Sequence, residues 1–142
     1  MALKKTQLLP ITTVVGVQTV GIYTAGLTAT SVGVGTTSYV KSIIMHNAGA
    51  AADNAGLGTA RVGVYIYPNT GVTDRVSGVG NSSYRILQID LAPNETSFFE
   101  SNYPLVLAPF NAIAVDVKQP DAGGAGVGTA VNFIINGDTE TP

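Results

Sequence analysis

The chain has no cysteine, no tryptophan and one histidine, and Lys, Arg, Asp and Glu together supply 11% of its 142 residues. Ordinary soluble domains carry roughly a quarter of such residues. Without cysteine no disulfide framework or thiolate metal site can form. With His46 as the sole histidine, a His-based metal cluster is also out of reach. Only seven residues are basic, and only Lys4 and Lys5 are adjacent, so there is no electrostatic footprint for nucleic acid; the net charge of −2 agrees. Long hydrophobic runs are missing too. Thr and Gly interrupt the apolar residues at about every second position, which predicts no membrane-spanning helix. Leu8-Leu9 after Lys4-Lys5 is too short for a secretory h-region, and Pro10 ends it.

The most informative absence is local. From Thr6 to Val40 there is no charged residue, and the only amide side chains are Gln7 and Gln18. Uncharged, largely apolar surface of that extent belongs in a core or against another chain. It points away from an enzyme working alone in solution. A length of 142 residues fits one domain with a real hydrophobic core.

What fills the chain is period-two alternation of β-branched residues. Thr12 to Thr24 reads as one long strand, bent near Gly16 or Gly21 and apolar on both faces. A charge at Val17 or Val20 is then expected to damage folding. Tyr39 to Asn47 places Ile43 and Met45 on one face, with Ser42, Ile44 and His46 on the other. Ala60 to Tyr67 alternates in the same way and ends in Pro68-Asn69-Thr70-Gly71, a turn sequence. Tyr84 to Leu91 points Leu87, Ile89 and Leu91 inward. Pro93-Asn94 turns the chain. Short strands are predicted over Thr96–Glu100, Tyr103–Leu107, Ala112–Lys118 and Ala130–Asn136, with Asn136-Gly137 closing the last. The pattern Gly-apolar-Gly-Thr-(Thr or Ala) occurs at Gly33–Thr37, Gly56–Ala60 and Gly126–Ala130, each time just before a predicted strand. About eight strands without amphipathic helices predict an all-β sandwich or barrel.

Chemistry is harder to place. Gly124-Ala125-Gly126-Val127-Gly128 lacks dinucleotide-loop spacing and precedes a strand, so it reads as a structural loop. His46 shares a strand face with Ser42 and reads as a half-buried histidine hydrogen-bonded to backbone rather than a triad member. Asp90, Glu95 and Glu100 flank one turn; solvated positions account for them better than a glycosidase acid pair. Asp53-Asn54 and Asp121 lack the dense oxygen ligands of a calcium loop. No catalytic, cofactor-binding or metal residue is therefore assigned, and no cofactor. Tyr65 and Tyr67 share one strand face. They read either as a subunit contact or as a strip for stacking sugar rings.

The runs YVKSIIMHN, VGVYIYPNTG, LQIDLAPNETSFFESNYPLVL and VNFIINGDTE, in that order, resemble small virion structural proteins of tailed bacteriophages. The resemblance spans most of residues 39–138, and the Gly/Ala loops at 48–58 and 121–128 look like insertions within it. It implies a β-sandwich of jelly-roll type with about eight antiparallel strands, assembled on the particle as a head decoration (cement) protein. The partners then implied are other copies of the chain, with a trimer favoured, and the major capsid protein. The location is the capsid surface of the virion, and neither nucleic acid nor membrane is engaged. A tail, neck or fibre position is the first alternative; a carbohydrate-binding module is the second. Residues 1–11 are expected as an N-terminal arm, 12–138 as the sandwich and 139–142 as a tail. In the arm, Leu3, Leu8 and Leu9 would be apolar anchors, and Lys4 and Lys5 would meet acidic capsid surface. Thr28 and Thr30 belong to an uncharged loop expected to lie on a neighbouring subunit, where a charge would weaken assembly and spare the fold.

Overall fold

The computed structural model of the chain describes residues 2–15, 19–26, 36–49, 59–68, 84–119, 124–125 and 130–141. These form nine strands: β1 Ala2–Val15, β2 Val20–Thr24, β3 Thr37–Gly49, β4 Ala60–Tyr67, β5 Arg85–Leu91, β6 Thr96–Leu107, β7 Ala112–Gln119, β8 Gly124–Ala125 and β9 Ala130–Thr141. The protein is an all-β sandwich. One sheet runs β1-β9-β3-β6 and the other β2-β7-β4-β5, with the two-residue β8 on β7. All pairs are antiparallel, and four of them are nested: β1 with β9, β2 with β7, β3 with β6 and β4 with β5. The two halves of the chain thus form one long ribbon. Cross-pairing of β3 with β9 and of β4 with β7 winds that ribbon into two layers.

The alternation in the sequence becomes the core. Ile43 and Met45 of β3, Val62 and Val64 of β4, Val115 and Val117 of β7, and Phe133 and Ile135 of β9 are fully buried. Each is worth about 1.5–3 kcal/mol gross relative to an exposed side chain. β-Branched residues suit these positions because their stiff side chains pack on a pleated surface. The Gly-apolar-Gly-Thr repeats end on Thr37, Ala60 and Ala130, the first residues of β3, β4 and β9.

Three expectations need correction. The stretch Thr12–Thr24 is not one strand: β1 ends at Val15 in one sheet, and β2 starts at Val20 in the other. A strand apolar on both faces would need protein on both sides, whereas two short segments in different sheets each bury one face. Val14 is accordingly buried, but Val20 is 41% exposed, so it is not the fold-sensitive position it was expected to be; Val17 lies outside the described residues.

Residues 2–10 are not an arm. They are the first part of β1, paired with β9 from Ala2↔Thr141 to Leu9↔Ile135. That ladder exists because β9 does not close at Asn136-Gly137 but runs on to Thr141, taking the expected tail with it. Gly137 lies between β1 and β3, opposite Thr6 and Val40. Its lack of a side chain serves a close strand approach, not a turn.

Thr96–Glu100 and Tyr103–Leu107 are a single strand, β6. Val40 pairs with Leu105 and Ser42 with Glu100, so residues 101–104 stand opposite Lys41 alone. Lys41 is itself an extra residue against β9, where Val40↔Gly137 is followed directly by Ser42↔Asn136. This bulge turns the Lys41 ammonium onto the nearly buried carboxylate of Asp138, at 2.9 Å.

Candidate functional site

The two outer faces of the sandwich differ in kind. On the β2-β7-β4-β5 sheet, polar groups are already paired with one another. Asp116 is buried on β7, where its carboxylate accepts the Gly63 N–H at 3.0 Å and the Tyr65 hydroxyl at 2.7 Å, with Lys118 Nζ at 3.5 Å. Burial, and then the hydrogen bond to Asp116, push the Tyr65 phenol up to about 12, so it remains a donor at neutral pH. Arg61 holds Asp90 through two bonds of 2.8 and 3.1 Å. That contact lowers the Asp90 carboxyl, the opposite of what a glycosidase general acid requires. Tyr65 is 2% exposed. Tyr67 and Tyr84 lie beside it with ring centroids 6.2 and 5.0 Å apart along the series and planes tilted by 33° and 46°. The expected Tyr65–Tyr67 strip therefore offers no flat, open platform for a sugar ring.

The outer face of the β1-β9-β3-β6 sheet is organised in rows. Strand pairing aligns Ile44 with both Ile134 and Phe98. Ile11 on β1 lies beside Ile134, between the pairs Leu9↔Ile135 and Thr12↔Phe133. All four point away from the core: Ile44, Phe98 and Ile134 alternate with the inward Ile43, Phe99 and Ile135, and Ile11 is largely exposed. The result is an apolar row, Ile11–Ile134–Ile44–Phe98, crossing every strand of the sheet. Its ends are open: Ile11 is 65% and Phe98 60% exposed. The middle pair is half-buried between them.

Polar rows rim it on both sides. One is Thr13–Asn132–His46–Thr96, in which Thr13 Oγ1 donates to Asn132 Oδ1 at 2.6 Å and His46 Nδ1 is hydrogen-bonded to Thr96 Oγ1 at 2.7 Å. The other is Gln7–Asn136–Ser42–Glu100, in which Asn136 Nδ2 reaches Ser42 Oγ at 3.5 Å. Glu100 and His46 are the only ionisable side chains in the three rows. His46 thus bonds a neighbouring hydroxyl rather than backbone. Ser42, four residues along the same strand, lies about 13 Å from it, beyond any nucleophile–base contact. Charge returns only farther down the sheet, where Lys5 pairs across from Asp138 and the Tyr39 hydroxyl donates to Glu140 at 2.9 Å.

The remaining sequence candidates fall as follows. Leu3, Lys4 and Lys5 are exposed on β1, opposite Glu140, Thr139 and Asp138. Leu8 and Leu9 are not outward anchors: both pack against the core, where the apolar pair finds more contact than a solvent-facing arm would provide. Thr28 and Thr30, and the loop residues Asp53, Asn54 and Asp121, lie outside the described residues. Gly124–Ala125 pairs with Lys118 and Gln119 as β8, an extended conformation, and Gly126, Val127 and Gly128 lie outside the described residues. A groove of about 450 Å³ opens between β1 and β2, lined by Thr12–Val15 and Val20–Ile22, and none of its lining side chains is ionisable.

The apolar row was missed in the sequence. Its signal was Ile44, an apolar residue in phase with Ser42 and His46 on the face otherwise read as polar. Comparison with protein-family models, with curated proteins and with solved structures finds no match to this chain.

Proposed function

We propose that this chain is a non-enzymatic structural protein of a tailed-phage virion, and in its most specific form a decoration protein that sits on the capsid surface and bridges its subunits. The observation that carries the reading is the apolar row Ile11–Ile134–Ile44–Phe98 with its nearly uncharged rim. Covering such a face with protein removes exposed apolar surface from water at about 25 cal/mol per Å² gross, before association entropy is subtracted. The hydroxyl and amide rim adds little charge desolvation to oppose it. A surface built this way favours permanent docking over turnover of a small molecule.

The nested strand pairing supports the jelly-roll form of the sandwich, in which two four-stranded layers arise from one folded ribbon. The virion setting rests on the resemblance alone, whose Asn69–Gly71 lie outside the described residues. His46-Asn47 lies near the end of β3, Pro93-Asn94-Glu95 makes the β5–β6 turn, and Tyr103–Leu107 is the second half of β6. Adding purified protein to particles that lack it tests the reading. Saturable binding in proportion to capsid subunits, with greater resistance of the shell to heat, is the expected result. Binding at a single tail or neck position would move the protein to the alternative location. Failure to bind any part of the particle would refute the reading.

A further inference from the structure

We propose that the apolar row on the outer face of the β1-β9-β3-β6 sheet is where two copies of this chain meet, the row of one lying on the row of the other. The inference rests on reading that face as one covered by protein, and it names a second copy rather than a capsid subunit as what covers it. Charge selects the occupant. A partner presenting fixed charges would have to leave most of them desolvated against isoleucine, hydroxyls and amides, with only Glu100 and His46 to answer them. A second copy presents the same uncharged chemistry. It can be placed by a two-fold axis in either of two directions within the sheet plane. With the axis along the row, Ile44 meets Ile44, and Glu100 comes opposite the partner's Thr96. With the axis across the row, Ile44 meets the partner's Ile134, and Glu100 comes opposite the partner's Gln7. Glu100 faces Glu100 in neither, so self-apposition brings apolar onto apolar with no like-charge clash. That is the condition for a self-complementary interface.

The other outer face lacks these properties. It carries Arg61, Asp90, Asp116 and Lys118, already joined in internal ion pairs. Apposing two such faces would bury charges whose present partners leave them partly hydrated.

Sedimentation of the full chain decides the matter, using Phe98→Glu and Ile11→Glu as row variants and Tyr103→Glu as the control. Phe98 and Ile11 are open to solvent, and Tyr103 is 84% exposed in the four-residue excursion of β6 away from the row, so all three variants keep the fold; circular dichroism checks this. The wild type is expected to dimerise at micromolar concentration. Each row variant should weaken dimerisation ~100-fold, because it leaves a charge without a partner against an apolar surface, and Tyr103→Glu should leave it unchanged. A wild type that stays monomeric up to about 100 µM overturns the proposal. So does a dimer indifferent to Phe98→Glu, one weakened equally by Tyr103→Glu, or a closed trimer, which a two-fold contact cannot build. Binding to protein-free shells, measured in parallel, separates the two readings. A monomer that needs Phe98 to bind shells removes the second copy but keeps the decoration role. A Phe98-dependent dimer that never binds shells does the reverse.

Discussion

Gly63 and Asp116 sit directly across from each other on β4 and β7, and the place a Gly63 side chain would occupy is taken by the Asp116 carboxylate. The same carboxylate accepts the Gly63 N–H and the Tyr65 hydroxyl, so one absent methyl group makes room for a three-residue polar network. Gly63→Ala must displace that carboxylate within a sheet paired on both sides. Overpacking together with loosened buried hydrogen bonds should lower stability by about 2–4 kcal/mol. Urea denaturation of Gly63→Ala, Asp116→Ser and the double variant checks the assignment. The double variant, with a smaller group opposite the new methyl, should be less destabilised than the sum of the two single changes. Simple additivity would mean that the two residues do not compete for the same space.

Tyr65 gives the network a pH signature. Its phenol is raised from 10.0 to about 12, through burial first and the bond to Asp116 second. A group whose folded value lies above its unfolded value contributes fully below the unfolded value and loses that contribution as pH climbs to the folded one. Stability should therefore decline between pH 10 and pH 12. Tyr23, raised by burial, adds to the decline in the same direction. In Tyr65→Phe the alkaline slope should shrink even though the variant is less stable at pH 7. Denaturant midpoints measured across that range for both proteins provide the comparison, and equal slopes would show that the Tyr65 proton is not coupled to folding.

Two turns repeat one device. In Ala92–Glu95 and in Ala108–Asn111 the last N–H donates to the first carbonyl at 3.0 Å, with proline second and a positive φ third: 63° at Asn94 and 69° at Phe110. In both, the third residue's N–H ties the turn to a neighbouring segment, Asn94 to Asn47 O at 3.0 Å and Phe110 to Ala25 O at 2.8 Å. Asparagine accepts such a backbone readily, whereas phenylalanine is strained there. Glycine should therefore outperform alanine at both positions, by about 1 kcal/mol, despite its greater freedom in the unfolded chain. Thermal melts of Asn94→Gly, Asn94→Ala, Phe110→Gly and Phe110→Ala test the order. Alanine equal to glycine at either position would contradict the assigned turn.

Where one face was buried and the alternation ran unbroken, the sequence was legible. Ala60–Tyr67 is β4 to the residue, and Ile43 and Met45 face the core opposite Ile44 and His46. Irregular pairing hid the rest. β1 carries two register shifts against β9, around Leu8 and across Pro10-Ile11, so its apolar residues fall out of phase and its first half resembles an unpaired arm. β6 looked like two strands because residues 101–104 have no counterpart on β3 except Lys41. The apolar row was half legible. Ile44, Ile134 and Phe98 are visible one at a time, but only the pairing of strands distant in sequence sets them side by side.

Gly137 is the sharpest case of a misread residue, and it makes its own prediction. Asn-Gly at 136–137 has the composition of a hairpin turn, yet both residues lie inside β9, with β1 on one side and β3 on the other. A Cβ on Gly137 would run into the backbone carbonyl of Tyr39 and press on the Leu8 side chain at 3.0 Å. The obstacle is backbone, held where the Lys41 bulge bends β3, so no side-chain rotation relieves it. Gly137→Ala should therefore lower stability by about 2–4 kcal/mol, the upper range for overpacking with loss of ladder bonds. Were Asn136-Gly137 a turn ending the strand, the same substitution would act through backbone conformation alone, at about 1 kcal/mol. Hydrogen exchange separates the two cases beyond the size of the effect. In the variant, protection should fall along both β1 and β3 near Thr6 and Val40, whereas a strained turn would loosen only the residues after Gly137.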